Sequence, residues 1–123
     1  MGSMFAARFK ALGHQVLVSD LSSLSLEETL VRSSDLIILS VPLDQNIPVL
    51  KRISGWLEPC QLLSDFSSVK AEVLPAMLQT KAAVISTHPM FGALADLTDQ
   101  NIVLLPTRPR GFSTRRASAE AVP

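Results

Sequence analysis

The amino-acid sequence predicts an α/β fold: a parallel β-sheet, doubly wound, with helices on both faces. Three observations carry that expectation. Short strand-forming runs alternate with segments of helical periodicity, the pattern of repeated units joined by right-handed crossovers. The apolar run DLIILSVP at 35–42 is continuous where a half-exposed strand would alternate, as expected of a strand buried on both faces. Polar residues close several of the runs, and in parallel sheets ligands are met at those ends.

Each element follows from local pattern. Met4, Phe5, Phe9 and Leu12 recur with helical spacing while Arg8 and Lys10 fall off that stripe, and Gly13 supplies a C-terminal stop. QVLVSD at 15–20 is a β-branched run closing on an acid, hence a strand, and LEETLVRSS at 26–34 returns to helical composition. DLIILSVP is the next strand, ended by Pro42. DQNIPVLKRISGWL at 44–57 reads as a helix with Asp44 as N-cap and Pro48 in the first turns. QLLSDF at 61–66 is a strand, VKAEVLPAMLQ at 69–79 a helix bent or interrupted near Pro75, AAVIST at 82–87 a strand and NIVLLP at 101–106 one more. No internal repeat competes. Residues 1–106 are expected to form one domain, and the Arg, Ser, Pro and Ala bias of 107–123 marks a disordered tail.

Composition bounds what such a domain does. With 123 residues, 47% of them hydrophobic, the chain has material for one sizeable core and no second full domain. The formal net charge is zero, but the arginines at 108, 110, 115 and 116 leave the body net acidic, which excludes a polyanion-binding body. No aromatic platform accompanies the tail's charges, so no nucleic-acid partner is expected. Cys60 is the only cysteine, so no internal disulfide forms; it is expected as a small core residue of a cytoplasmic protein. No apolar run is long enough to span a bilayer, no leader is expected, and MGSMFA lacks the hydroxyl a myristoylation signal requires, so no membrane partner is expected.

The front of the chain is unusual. A doubly wound nucleotide-binding unit begins with a strand that feeds a glycine-rich turn and then a helix. Here the helix starts almost at Met1, and only Gly2 is left of such a turn. The expectation is a sheet lacking its first, central strand.

The strand ends hold the candidate chemistry. Asp20, eighteen residues after Gly2, stands where a carboxylate accepts hydrogen bonds from both hydroxyls of an adenosine ribose and repels a 2′-phosphate, favouring NAD over NADP; a turn or cap aspartate is the other reading. Ser40, with Val41 and Pro42 just beyond, ends the next run, and as a bare strand-end hydroxyl it needs no ligand. Asp65, Ser67, Ser68 and Lys70 follow the third, where SSVKAE also offers a helix cap. His88 ends the fourth. Pro89 fixes the backbone direction after it and Gly92 permits a tight loop, so the imidazole is expected in the crevice, as a base for a substrate hydroxyl. Nucleophilic hydrolysis through Ser68 is disfavoured, because Ser68 lacks the glycine-flanked elbow. The residues suggest no metal site.

GSMFAARFKALGHQVLVSD, DLIILSVP, LLSDFSSVKAEVLPAM and THPMFG, in this order and spacing, resemble the nucleotide-binding domain of the prephenate and arogenate dehydrogenase family from about Gly2 to Pro106. DFSSVK and HPMFG together are specific to that family. The resemblance implies a Rossmann-like fold, NAD as cofactor, and oxidative decarboxylation of prephenate to 4-hydroxyphenylpyruvate in tyrosine biosynthesis. It gives His88 the proton of the ring hydroxyl and has Ser68 hydrogen-bond that hydroxyl or the imidazole. Gly2 matches the last glycine of the phosphate turn, Asp20 the ribose acid, and Ser40, Val41 and Pro42 the loop along the cofactor, with Asp65 beside them. The family continues into a helical domain that completes the substrate pocket and makes a homodimer. That domain is absent here, so a fragment of impaired activity is expected. The alternatives are a non-catalytic remnant or binding module of the same fold, or another nicotinamide dehydrogenase, such as one acting on arogenate or a 3-hydroxy acid.

Overall fold

The computed structural model describes residues 1–19, 25–92 and 97–108, the last three as backbone only. Asp20 and the tail from 109 onward lie outside the described residues. Helix α1 (Gly2–Ala11) ends as its sequence requires: Gly13 adopts φ 94°, its N–H donates to Lys10 O at 3.0 Å and that of His14 to Phe9 O at 3.1 Å. These two bonds make a Schellman C-cap, which needs a residue free of Cβ strain at that position.

The remaining elements are α2 (Glu27–Ser33), β1 (Leu36–Leu39), a 3₁₀ turn (Leu43–Gln45) leading into α3 (Asn46–Ile53), a second 3₁₀ turn (Ser54–Trp56), β2 (Leu62–Asp65), α4 (Val73–Leu78), β3 (Ala83–Pro89) and β4 (Ile102–Arg108). The sheet order is β1-β2-β3-β4. β1, β2 and β3 are parallel, in a register that aligns Leu39 with Asp65 and Asp65 with Ser86. Their carboxyl ends form one rim carrying Ser40, Asp65 to Ser68, and Thr87 to His88. The core lies on one face, where Leu39, Leu63 and Val84 meet Val31 of α2, Leu50 and Ile53 of α3, and Val73 and Met77 of α4. Phe66 falls to the other face, with its ring centroid 4.6 Å from that of Phe5 in α1.

Several expectations need correction. β4 runs antiparallel to β3, not parallel, because the chain re-enters the sheet beside the point where it left: Met90 N–H donates to Asn101 O at 2.9 Å. β4 also extends to Arg108, past the expected boundary at 106. Residues 14–19 join no ladder, and Leu17 and Val18 are 44% and 68% exposed. β propensity alone does not make a strand: these residues pair with no other strand among the described residues. β1 is not buried on both faces: Leu36 is exposed, and among the described residues β1 lies at the edge of the sheet. Cys60 is exposed, in the turn before β2. Asp44 sits inside a 3₁₀ turn and makes no cap bond. Pro75 does not bend α4, since the helix starts only at Val73 and the missing N–H falls in its first turn, where no intrahelical acceptor is needed.

Candidate functional site

The carboxyl ends of β1 and β2 open into a cleft of about 380 Å³. One wall is the loop Ser40 to Leu43 after β1, the other is Phe66 to Ser68 after β2, and Met1 closes the end at the start of α1. α1 has no side-chain cap at its N-terminus, so its first N–H groups carry the positive end of the helix dipole toward this cleft uncompensated by a side chain.

Gly2 sets how closely that helix approaches the sheet. A Cβ built on it would lie 2.9 Å from Ser40 Oγ and 3.1 Å from Ser40 Cβ. Those distances leave no room for a side chain, so the first turn of α1 lies against the β1 loop because residue 2 is glycine. The cradle fits a dinucleotide phosphate, which needs backbone approach at a helix N-terminus.

The β2 loop is held from below by Asp65. Its side chain has no exposure, and its oxygens accept four bonds: Oδ1 from Ser86 Oγ at 2.6 Å and Thr87 N–H at 3.4 Å, Oδ2 from Ser67 N–H at 3.1 Å and Lys70 Nζ at 2.9 Å. Lys70 Nζ donates a second bond to Thr87 O at 2.6 Å, and Thr87 Oγ1 donates to Asp65 O. A wholly buried carboxylate with this many partners has no lone pair left for a ligand. The Asp65 carboxylate is thus taken up within the fold, where it shapes the turn that presents Ser67 and Ser68. The capping expectation for SSVKAE is corrected, since α4 has Glu72 at its N-cap position and no side-chain cap.

The structure brings Ser40, Val41, Pro42 and Ser68 together around one cleft, with Gly2 packed against Ser40 beside it. It places His88 on the same rim but not in the cleft wall. His88 is half-buried, next to last in β3, and opposite Val103 of β4. No hydrogen bond joins it to Ser68 among the described residues. Gly92 has no positive φ and nothing within 4 Å of a built Cβ. Sequence reasoning missed Ser86 and Thr87, although two hydroxyls inside an otherwise apolar strand were a visible signal. Asn46, which donates from Nδ2 to Ser67 Oγ at 2.8 Å, gave none. Among the described residues no group of three or more His, Cys, Asp or Glu stands ready to hold a metal, and no helix is long and apolar enough to cross a membrane.

A T-protein of Haemophilus influenzae is 33% identical over 105 residues, 84% of this chain and 28% of its own. A T-protein of Enterobacter agglomerans is 33% identical over 93 residues, 75% of this chain and 25% of its own. Among solved structures, Synechocystis arogenate dehydrogenase superposes with a TM-score of 0.73 at 20% identity, over 98% of this chain and 51% of that one. Prephenate dehydrogenase from Aquifex aeolicus, in complex with hydroxyphenyl propionate and NAD+, gives 0.68 at 19% identity, over 96% of this chain and 50% of that one. These likenesses establish the Rossmann-like fold. The chain spans about a quarter of the length of the curated relatives it matches and about half of the solved ones. Residues 23–109 match the family described as prephenate dehydrogenase, nucleotide-binding domain, and the chain belongs to that family.

Proposed function

We propose that the chain binds NAD in the cleft and serves as the nucleotide-binding part of an enzyme that oxidatively decarboxylates prephenate to 4-hydroxyphenylpyruvate, a tyrosine-pathway step carried out in the cytoplasm. One observation carries the proposal. Ser40, Ser67 and Ser68 line a single cleft beside an uncapped helix N-terminus, and none of the three hydroxyls donates to an acceptor among the described residues. Such a wall suits a ligand rich in acceptor oxygens, and Leu39, Val41, Pro42, Leu43 and Phe66 give it an apolar surface for rings.

Gly2 and Ser40 would hold the pyrophosphate, Val41 and Pro42 the length of the cofactor, and Ser68 the end nearest the reaction. Asp20 would take the adenosine ribose hydroxyls, so Asp20→Ala should weaken NAD relative to NADP. NAD supplies the acceptor for the hydride leaving the ring carbon that bears the hydroxyl. His88 takes that hydroxyl's proton, Ser68 orients the hydroxyl or the imidazole by a hydrogen bond, and the ring carboxylate departs as carbon dioxide as the ring becomes aromatic. The substrate is a small molecule, prephenate or arogenate, bound with a further domain that also makes the homodimer.

Assay of the chain with prephenate and NAD tests this, alone or joined to the parts of a relative that it does not span. Turnover should fall roughly 10²- to 10⁴-fold in His88→Asn and up to about tenfold in Ser68→Ala. Near-normal kcat in the His88 variant overturns the mechanism. A second reading, a nucleotide-binding module without turnover, is favoured by the absence of His88 from the cleft wall; NAD binding without prephenate oxidation in either context would establish it.

A further inference from the structure

We propose that Ser67 is a further cofactor contact, a hydroxyl donor to an acceptor oxygen on the nicotinamide half of the dinucleotide, and that Asn46 is the positioning residue that orients it. The proposal rests on the reading that the cleft binds NAD. Ser67 lines the cleft, and its backbone N–H is taken by Asp65 Oδ2 at 3.1 Å. Its Oγ accepts Asn46 Nδ2 at 2.8 Å. A hydroxyl has one proton and two lone pairs, so a lone pair turned to the amide forces the proton away from it. That proton meets no acceptor among the described residues, and the open side of Ser67 is the cleft.

Asn46 is an expensive residue at its position. It is 2% exposed at the first turn of α3, and its Oδ1 is buried without a partner. A half-satisfied buried amide costs stability, and the bond this one makes goes only to Ser67. Ser40 and Ser68 receive no such bond, so their hydroxyls turn freely. Ser67 alone of the three is a preorganised donor, losing less freedom when a ligand arrives. It stands beside Ser68 at the reactive end of the cleft, across from the Gly2 and Ser40 cradle, which assigns its acceptor to the nicotinamide half.

The test is calorimetric titration of the 123-residue chain with NAD, ADP-ribose and AMP. Ser67→Ala removes the donor. Asn46→Asp keeps the hydroxyl but reverses the bond, because a carboxylate accepts where the amide donated and draws the Ser67 proton out of the cleft. Each should weaken NAD by about three- to tenfold, and the double variant should lose no more than either single one. AMP, lacking the nicotinamide half, should bind all variants alike. A loss with ADP-ribose as well assigns the acceptor to the ribose, and a loss with NAD alone assigns it to the carboxamide. Should Asn46→Asp not fold, Asn46→Ala leaves the hydroxyl free to rotate and should lose less than Ser67→Ala. Full NAD affinity in Ser67→Ala or in a folded Asn46→Asp, or losses that simply add, overturns the proposal. So does weakened AMP binding.

Failure of the wild-type chain to bind NAD removes the dinucleotide reading and the contact with it. The orientation is judged separately, without ligand, from the Asn46 side-chain amide protons. They should be protected from exchange in the wild type and exposed in Ser67→Ala; if the wild type leaves them unprotected, Asn46 does not orient Ser67.

Discussion

Asp65 and Lys70 form a salt bridge of 2.9 Å in which the carboxylate side chain has no exposure and the lysine side chain only 17%. The same ammonium reaches Thr87 O, so one pair joins the end of β2, the serine turn and the end of β3 next to His88. Removing either partner strands a charge: Asp65→Ala or Lys70→Met should each cost about 3 to 5 kcal/mol in urea unfolding. The double variant should cost less than the sum, because the second change removes the stranded charge. Single losses below about 0.5 kcal/mol would show that water reaches the pair freely.

Gly2→Ala should destabilise the chain, against the usual sign. Alanine for glycine in a helix ordinarily stabilises by about 0.5 to 1 kcal/mol. Here the new methyl would stand 2.9 Å from Ser40 Oγ and 3.1 Å from Ser40 Cβ, and overpacking of this kind costs about 1 to 3 kcal/mol. Ser40→Gly in the same chain removes both atoms and should restore stability. A Gly2→Ala chain as stable as the parent would mean that α1 shifts to make room.

Arg52 holds Glu27 in a two-pronged contact, Nε to Oε2 at 2.5 Å and Nη2 to Oε1 at 3.0 Å, tying α3 to α2. Glu27 is 8% exposed, whereas the pair Arg32 and Glu28, at 3.4 Å, is half exposed on both sides. Arg52→Ala should therefore cost about 1 to 3 kcal/mol and Arg32→Ala at most about 0.5. The hydrogen bonds to Glu27 raise the Arg52 pKa, against the opposing pull of burial. A cation with a raised pKa in the folded state gives stability that is lost only as pH rises through that value. Alkaline pH short of arginine's own range should thus leave the Arg52→Ala difference unchanged, which denaturation at neutral and mildly alkaline pH checks.

What was legible in the sequence depended on whether local pattern or distant partners decided the outcome. Gly13 announced the end of α1 because a Schellman cap is a local device. β1, β2 and β3 were legible as apolar runs, and Ser40, Ser68 and His88 as residues at their ends. The fate of QVLVSD was not, because a strand requires a neighbouring edge that no local pattern supplies. Nor was the direction of β4, which follows from the hydrogen bond between Met90 and Asn101 closing a long connection. Asp65 reads as a ligand residue from position alone; only the arrival of Ser86, Thr87 and Lys70 from elsewhere shows that its carboxylate is already occupied. Asn46 and Ser67, 21 residues apart, meet only in the folded chain.

The most direct test of the account is titration of the isotopically labelled chain with NAD, followed residue by residue through backbone amide shifts. Saturable shifts should concentrate at Gly2, Ser40, Val41, Ser67 and Ser68 and leave β4 unmoved. Absence of saturable shifts, or shifts centred on Ile102 to Leu105, would contradict the assignment of the cleft as the dinucleotide site.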